Sequence, residues 1–210
     1  MGNKCGEGHA HGYLRNAYQR QGDFQTPIDY HKRHLKFAKE VNDKAGEERA
    51  YCNLGNAYQD LGDFKTAIDY HERHLKIAKE LGNKAGEERA YCNLGNAYQS
   101  LGDFKTAIDY NERLLKIAKE VKDKVGEQRA YCNLGNAYQG LRDFKTAIDY
   151  HERHLKIAKE LRQKDGEGIA YCSLGNAYQG LGDSKTVIDY CERYLRIAKE
   201  LGDKFGEGRV

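Results

Sequence analysis

The feature that most constrains this chain is a 40-residue block that recurs along nearly its whole length. The block beginning at Ala50 returns almost unchanged at Ala90, Ala130 and Ala170, and in altered form at Ala10. A fixed period of roughly 20 to 50 residues is typical of solenoids, in which each unit buries its apolar face only against its neighbours. The sequence therefore predicts one elongated body of about five units rather than a globular domain.

The charge pattern limits the classes of partner. Lys and Arg number 35 against 32 Asp and Glu, a net charge of +3, and the two signs alternate instead of clustering. Nucleic acid and anionic membranes select a basic patch, so neither is expected as a partner. No apolar run is long enough to span a bilayer and the N-terminus lacks a signal-peptide pattern, which predicts a cytoplasmic protein.

One cysteine position recurs in every clear repeat: Cys52, Cys92, Cys132 and Cys172. Stacked helices lie about 8 to 10 Å apart, further than the Cα separation of a disulfide, so we expect reduced thiols inside a cell. The opening MGNKCG resembles a dual acylation signal, with Gly2 followed by Cys5. However, Gly6 stands where the myristoylation pattern requires Ser or Thr, and we expect an ordinary inter-repeat loop there.

Each repeat divides into two helices. From Gly46 to Asp60, apolar or small residues fall at steps of three and four, the helical period, and continue to Leu61. We call this helix A. Gly62 supplies a left-handed residue that ends it, and Asp63 is the predicted N-cap of helix B, from about Phe64 to Leu81. The predicted apolar stripe of helix B is Phe64, Ala67, Ile68, Leu75, Ile77, Ala78 and Leu81, with Tyr70 alongside. The short turn predicts an antiparallel hairpin.

Glycine and proline positions add three expectations. Gly55 lies inside helix A, where glycine costs about 1 kcal/mol relative to alanine, so we expect helix B to approach it closely at Ala67. Arg142 occupies the helix-ending position of Gly62 and should adopt left-handed backbone at a cost of roughly 1 to 2 kcal/mol. Pro27 falls near the first turn of its helix B, where proline is least harmful.

The repeat resembles the tetratricopeptide repeat. The matching residues, at the spacing of that family's aromatic, Leu-Gly, Tyr and Ala pattern, are Tyr51, Leu54, Gly55, Tyr58, Gly62, Phe64 and Ala67. Three features differ: the period is 40 where the family usually has about 34, His71 and His74 replace an aromatic residue and an alanine, and the closing proline is absent. Long repeats of this kind resemble those of the LGN and Pins G-protein signalling modulators and of tetratricopeptide repeat protein 28-like arrays.

The resemblance implies an all-α fold, a right-handed α-solenoid of antiparallel helix pairs, for residues 1–210. We predict one array with repeat 1 at 6–41, repeat 2 at 46–81, repeat 3 at 86–121, repeat 4 at 126–161 and repeat 5 at 166–201, and the start of a sixth helix A at 206–210. A stable array usually ends in a polar capping helix, so this sequence is expected to be part of a longer array or to need a partner at its end.

One side of helix A is polar, with Arg49, Cys52, Asn53, Asn56 and Gln59 at steps of three and four. We call this side, with the equivalent residues of the other repeats, the amide face. In the tetratricopeptide family the A helices line a concave groove, so the resemblance makes this face the predicted peptide-binding groove. The candidate residues are Asn16, Arg49, Asn53, Asn56, Gln59, Arg89, Asn93, Asn96, Gln99, Arg129, Asn133, Asn136, Gln139, Asn176 and Gln179.

An asparagine row can pair with the backbone of an extended peptide, because each amide offers a donor and an acceptor. The arginines add charge-assisted bonds to carboxylates. The prediction is a non-catalytic protein–protein interaction scaffold that binds extended peptide segments, acidic ones included. The alternatives are an inner face that is merely solvated and a structural or regulatory spacer in a longer protein. Carboxylate-clamp repeats for chaperone tails have Lys where Cys52 stands, which argues against that role.

Catalysis and cofactors receive little support from the sequence. His71 with His74, and the pairs His31 with His34 and His151 with His154, have the i,i+3 spacing of a metal chelate, but no third ligand recurs nearby. We expect packing or solvation instead. The repeated cysteines lack a neighbouring base that would make them nucleophiles, and a redox role for the row is a weaker option. The sequence predicts no enzyme, no metal, no cofactor and no small-molecule substrate.

Overall fold

The computed structural model of the protein describes residues 23–202, and every regular element in that range is an α-helix. In chain order the helices are α1 (Gln25–Glu40), α2 (Lys44–Asp60), α3 (Phe64–Glu80), α4 (Lys84–Ser100), α5 (Phe104–Val121), α6 (Lys124–Gly140), α7 (Phe144–Glu160), α8 (Lys164–Leu181) and α9 (Ser184–Glu200). The even-numbered helices are the predicted A helices and the odd-numbered ones the B helices. The all-α prediction is confirmed.

The helices pack in chain order as hairpins. The chain divides into two compact units, Met1–Ala97 and Tyr98–Val210. In the first unit α2 packs against both α1 and α3. In the second unit α5 packs on α6, α6 on α7, α7 on α8 and α8 on α9, and the A helices α6 and α8 also touch. This succession is the repeated helix-turn-helix arrangement that the sequence period predicts.

The turns inside each repeat follow the predicted chemistry. Asp63 accepts a hydrogen bond from the backbone N–H of Thr66 at 3.1 Å, and Asp103, Asp143 and Asp183 accept the equivalent bonds at the starts of α5, α7 and α9. Each of these N-caps satisfies an amide that the first helical turn leaves without a partner. The backbone at Gly62 is left-handed, with φ of 83°. Arg142 also adopts the left-handed conformation, with φ of 62°, as predicted.

Two details of the helix boundaries differ from the predictions. Helix A begins at Lys44 rather than Gly46, because Asp43 caps it by accepting from the Gly46 N–H at 2.9 Å. Leu61 and Leu81, predicted on the apolar stripes, are C-cap residues with exposed side chains, Leu81 at 43%. A C-cap residue lies beyond the last helical turn, so its side chain leaves the buried side of the helix.

The core of each repeat consists mainly of small residues. Ala50, Leu54, Ala67 and Ala78 have no solvent exposure, which lets the helices approach closely. A tyrosine stack joins helices A and B at the rim of this core, with the rings of Tyr58 and Tyr70 5.4 Å apart. The same stack recurs as Tyr98 with Tyr110, Tyr138 with Tyr150 and Tyr178 with Tyr190.

The residue that packs against Gly55 was wrongly predicted. A Cβ added to Gly55 would collide with the imidazole of His71, and one added to Gly135 would collide with that of His151. Ala67 is buried, but the three atoms nearest to the added Cβ all belong to His71. Helix B therefore approaches Gly55 closely, as predicted. The missing Cβ leaves room for a histidine ring between the helices rather than for an alanine.

Candidate functional site

The amide face of α2 is half-buried at its centre. Asn53, Asn56 and Gln59 are each partly exposed, and Arg49 is exposed beside them. Cys52 does not share this exposure: only 4% of its surface reaches solvent, although the sequence places it on the polar side. The face in this region therefore presents amides and a guanidinium to solvent, with the thiol beneath them.

The amides of neighbouring A helices bond to each other in the first unit. Asn93 of α4 donates from Nδ2 to Oδ1 of Asn56 on α2, at 3.0 Å. Asn56 in turn approaches Sγ of Cys52 with its own Nδ2, at 4.0 Å, and thiol sulfur is a weak acceptor. The predicted asparagine row thus forms an internal hydrogen bond here, and one of the two acceptor sites on Asn56 is used within the chain.

In the second unit an asparagine of an A helix bonds to a B helix. Asn133 of α6 donates to Oδ1 of Asn111 on α5, at 3.1 Å. Asn111 is buried and donates to the carbonyl oxygen of Ala107 at 2.8 Å. Asn136 approaches only Sγ of Cys132, at 3.9 Å, and within residues 23–202 no group donates to its Oδ1.

The remaining predicted amides vary in exposure. Asn96 is half-buried and approaches Sγ of Cys92 at 3.9 Å. Gln99 and Gln139 are half-buried, whereas Asn176 and Gln179 on α8 are exposed. Asn16 lies outside the described residues. The structure thus brings Asn56 together with Asn93, bonds Asn133 to Asn111 of a B helix, and leaves the amides of α8 open to solvent.

The arginine row is also uneven. In α2, Arg49 lies 3.8 Å from a carboxylate oxygen of Asp43. Burial raises the pKa of the Cys52 thiol, and the nearby guanidinium of Arg89 on α4 acts in the opposite direction. Arg129 of α6 is exposed, and no carboxylate in the described part of the chain pairs with it. A buried thiol with a raised pKa is a poor nucleophile, which argues against the catalytic and redox alternatives for Cys52.

A buried carboxylate under the amide face was not predicted. Glu48 of α2 is buried, accepts from Nδ2 of Asn83 at 2.9 Å, and lies 3.4 Å from Nε2 of His74. Asn83 also caps α4 by accepting from the Gly86 N–H at 3.1 Å. Glu48 therefore links both helices of its repeat to the start of the next one. The recurrence of Glu48, Glu88 and Gln128 at one position was the sequence signal that could have indicated it.

The central histidine pairs are packed rather than solvated. His71, His74 and His151 have no exposed surface, and burial lowers the pKa of His71 to about 3 and that of His151 to about 4. Neither ring nitrogen of His71 or His151 has a hydrogen-bond partner. Among residues 23–202, no three His, Cys, Asp or Glu side chains converge in a group that could hold a metal ion. The imidazoles act as neutral core side chains that fill the space above the helix-A glycines.

A further cleft of about 450 Å³ opens between α8 and α9, away from the predicted residues. Its lining mixes both charge signs: Lys164, Glu167, Tyr171, Asp189, Glu192, Arg193, Arg196, Ile197 and Glu200. The side chains of Arg193 and Asp189 already pair there, with Nε and Oδ2 2.9 Å apart. Because the lining charges neutralise one another, this cleft has no clear preference for an ionic ligand.

The tetratricopeptide repeat model matches the sequence three times, over residues 10–80, 46–120 and 126–200. The chain belongs to the tetratricopeptide repeat family. A comparison with curated proteins finds no match. Between residues 23 and 202, no helix is both long and apolar enough to cross a membrane.

Solved structures share the tetratricopeptide repeat fold at low sequence identity. BtubC (BKLC) from P. vanneervenii is 24% identical with a TM-score of 0.82, over 92% of this chain and 80% of its own. A putative kinesin light chain of nearly identical repeats from Podosopora anserina is 19% identical, with a TM-score of 0.75 and coverage of 91% and 95%. A Rap protein complexed with competence and sporulation factor is 17% identical, with a TM-score of 0.78 and coverage of 93% and 55%.

Proposed function

We propose that this tetratricopeptide repeat chain is a non-catalytic protein-interaction scaffold whose A helices bind extended peptide segments, acidic ones included. The observation that carries the proposal is the open Oδ1 of Asn136 on a face that also exposes Arg129. An amide carbonyl oxygen accepts from a peptide N–H, and a guanidinium binds a carboxylate. A Rap protein of the same fold was solved in complex with competence and sporulation factor, which supports ligand binding as a use of this architecture.

Recognition on this face would depend on the ligand backbone more than on its side chains. Asn56, Asn96 and Asn136 occupy one position in successive A helices, and each can pair with a main-chain group of an extended segment. The arginines would then favour acidic segments among those that fit. The five repeat boundaries given above, from 6–41 to 166–201, are proposed as the units of this scaffold, and a cytoplasmic location fits cysteines that form no disulfide among residues 23–202.

The 40-residue period supports a closer relationship to the LGN and Pins modulators and to tetratricopeptide repeat protein 28-like arrays. We therefore propose a signalling adaptor in which the amide face holds a peptide segment of a partner protein. The alternative is a spacer within a longer repeat protein that binds no peptide. A spacer would not depend on the amide face, and this difference separates the two functions.

The test is affinity capture with the wild-type array and with the triple variant Asn56→Ala, Asn96→Ala, Asn136→Ala. Circular dichroism first establishes that both chains are equally helical. Captured partners are then divided into synthetic peptides, and binding is measured by calorimetry. We expect at least one peptide that binds the wild type and is lost with the triple variant. Identical capture by both chains, with no peptide bound, would favour the spacer.

A further inference from the structure

Repeat 5 departs from the other repeats at two positions of the amide face. Ile169 of α8 stands where the other clear repeats have Arg49, Arg89 and Arg129, and Ser173 stands where they have Asn53, Asn93 and Asn133. Ile169 is 52% exposed. Each change removes a long hydrogen-bond donor from α8, the next A helix after α6.

The first unit shows what those donors do. Asn93 donates to the amide of Asn56, and the guanidinium of Arg89 lies near enough to the thiol of Cys52 to act on its pKa, so each residue reaches the A helix of the preceding repeat, 37 positions earlier. The same step from Ser173 and Ile169 leads to Asn136 and Cys132 of α6. Since isoleucine has no side-chain donor and serine is shorter than asparagine, α8 supplies neither a guanidinium beside Cys132 nor an amide donor to Asn136.

The solvent exposure of the side chains on α6 agrees with the loss of these donors from α8. The helices α6 and α8 pack directly on each other. Cys132 is half-buried, whereas Cys52 is buried. Asn136 has no donor to its Oδ1 in the part of the chain that the structure describes, whereas Asn56 has Asn93. Repeats 4 and 5 therefore present an amide acceptor and an apolar side chain together, which repeats 2 and 3 do not.

A cationic group completes the arrangement. Arg129 is one repeat before Ile169 on the same face, exposed and without a carboxylate partner among residues 23–202, whereas Arg49 has Asp43 at 3.8 Å. The position before it is the neutral Gln128, where repeat 2 has the buried carboxylate of Glu48. The positive charge of Arg129 is thus less compensated than that of Arg49, and it favours an acidic ligand side chain.

We infer that Arg129, Cys132, Asn136, Ile169 and Ser173 form the subsite that anchors a peptide ligand, an inference that rests on the proposed function. An apolar ligand side chain packs on Ile169 and Cys132, a ligand N–H donates to Oδ1 of Asn136, and an acidic side chain pairs with Arg129. Packed helices lie about 8 to 10 Å apart and an extended chain advances about 3.3 Å per residue, so the apolar and acidic residues are about three positions apart.

The direct test is an array of immobilised peptides, each with one apolar and one acidic residue separated by one to six positions in either order. Matched peptides carry serine for the apolar residue or glutamine for the acidic one. The wild-type chain is expected to bind best at a separation of about three, and to lose at least tenfold in affinity with either replacement. Equal binding to the matched peptides would overturn the inference while leaving a groove function in place.

Two variants distinguish the loss of this subsite from a general loss of peptide binding by the amide face. Ile169→Arg with Ser173→Asn restores the residues of the other repeats, and should reduce binding of the apolar peptides at least tenfold with unchanged helicity. Lys65→Ile, at an exposed position of α3 outside the amide face, is the control and should change binding less than twofold. If no peptide on the array binds the wild type, the proposed groove function fails as well; if peptides bind but the restoring variant binds them equally, only the subsite is wrong.

Thiol labelling tests the geometry without a ligand. Iodoacetamide should modify Cys132 faster than Cys52, measured by mass spectrometry of the two peptides, because Cys132 is half-buried and Cys52 is buried. Equal labelling of both thiols in the wild type would contradict the open subsite.

Discussion

The A helices of repeats 2 and 3 and those of repeats 4 and 5 carry nearly the same sequence but present different surfaces. In the first pair, Asn93 donates to Oδ1 of Asn56, and the guanidinium of Arg89 lies near the Cys52 thiol. In the second pair, Ile169 and Ser173 make no such bonds, and the amide of Asn136 stays open. The difference teaches that one or two substitutions between copies decide which members of a repeated row are available to a ligand.

The largest expected effect compares the helix-A glycines of repeats 4 and 5. A Cβ on Gly135 would lie 2.5 Å from Nδ1 of the buried His151, whereas one on Gly175 would meet only Tyr190 and Cys191 at 3.8 and 3.9 Å. Gly135→Ala should therefore destabilise the array by about 1 to 3 kcal/mol through overpacking. Gly175→Ala should stabilise it by up to about 1 kcal/mol through helix propensity. Urea denaturation of both variants measures the difference, and equal effects would contradict the histidine packing.

Acid should weaken repeat 2 more than repeat 3. An unfolded histidine has a pKa near 6.5, and burial lowers that of folded His71 to about 3, so the unfolded chain binds more protons between these values. The stability contribution of neutral His71 is complete above pH 6.5 and declines as the pH falls. The expected loss from His71 alone is about 2 kcal/mol at pH 5, at about 1.4 kcal/mol per pH unit.

The variant His71→Asn, which copies Asn111 of repeat 3, tests this expectation. Its unfolding free energy should fall less than that of the wild type between pH 7.5 and pH 5, because it lacks the buried imidazole. The contact between Glu48 and His74 is present in both chains, so the comparison reports on His71. Identical pH dependence of the two chains would show that the ring accepts its proton while folded.

A substitution in the turn of repeat 4 should change the unfolding free energy less than the changes above. Arg142 adopts φ of 62° where Gly62, Gly102 and Gly182 occupy the other copies. Left-handed backbone costs a residue with a side chain roughly 1 to 2 kcal/mol, so Arg142→Gly should raise the unfolding free energy by about that amount. The contact of the Arg142 guanidinium with the Phe144 ring, 5.9 Å from its centroid, offsets part of the gain. An unchanged or lower melting temperature would contradict the prediction.

The smallest expected effect concerns the start of α8. Asp43 and Asp123 cap α2 and α6 with their side chains, whereas Gln163 at the start of α8 accepts no capping bond. Replacing a residue that does not cap by Asp is worth about 1 kcal/mol. Gln163→Asp should therefore raise the melting temperature by a few degrees, whereas Asp123→Gln, its reverse at α6, should lower it. A shift of the melting temperature in the same direction in both variants would contradict the prediction.

Sequence alone predicted the helix pairs well, because the 40-residue period, the Asp63 caps and the Gly62 turn are local signals. The sequence did not predict which side chains contact each other where two helices pack together. The residue facing Gly55 was predicted as Ala67, yet His71 lies there, since helical rotation between two elements cannot be read from spacing within one. The partners of the amide row were unpredictable for the same reason: the bond of Asn93 to Asn56 and that of Asn133 to the B-helix residue Asn111 both join two different helices.

The most direct test of the account is the affinity of one array-selected peptide for three chains, the wild type, Asn136→Ala and Asn56→Ala, measured by calorimetry. If open amides bind the ligand, Asn136→Ala should lose at least tenfold in affinity, and Asn56→Ala, whose Oδ1 already accepts from Asn93, should lose less. Equal losses, or a greater loss with Asn56→Ala, would contradict the claim that the difference between the repeats selects the binding position.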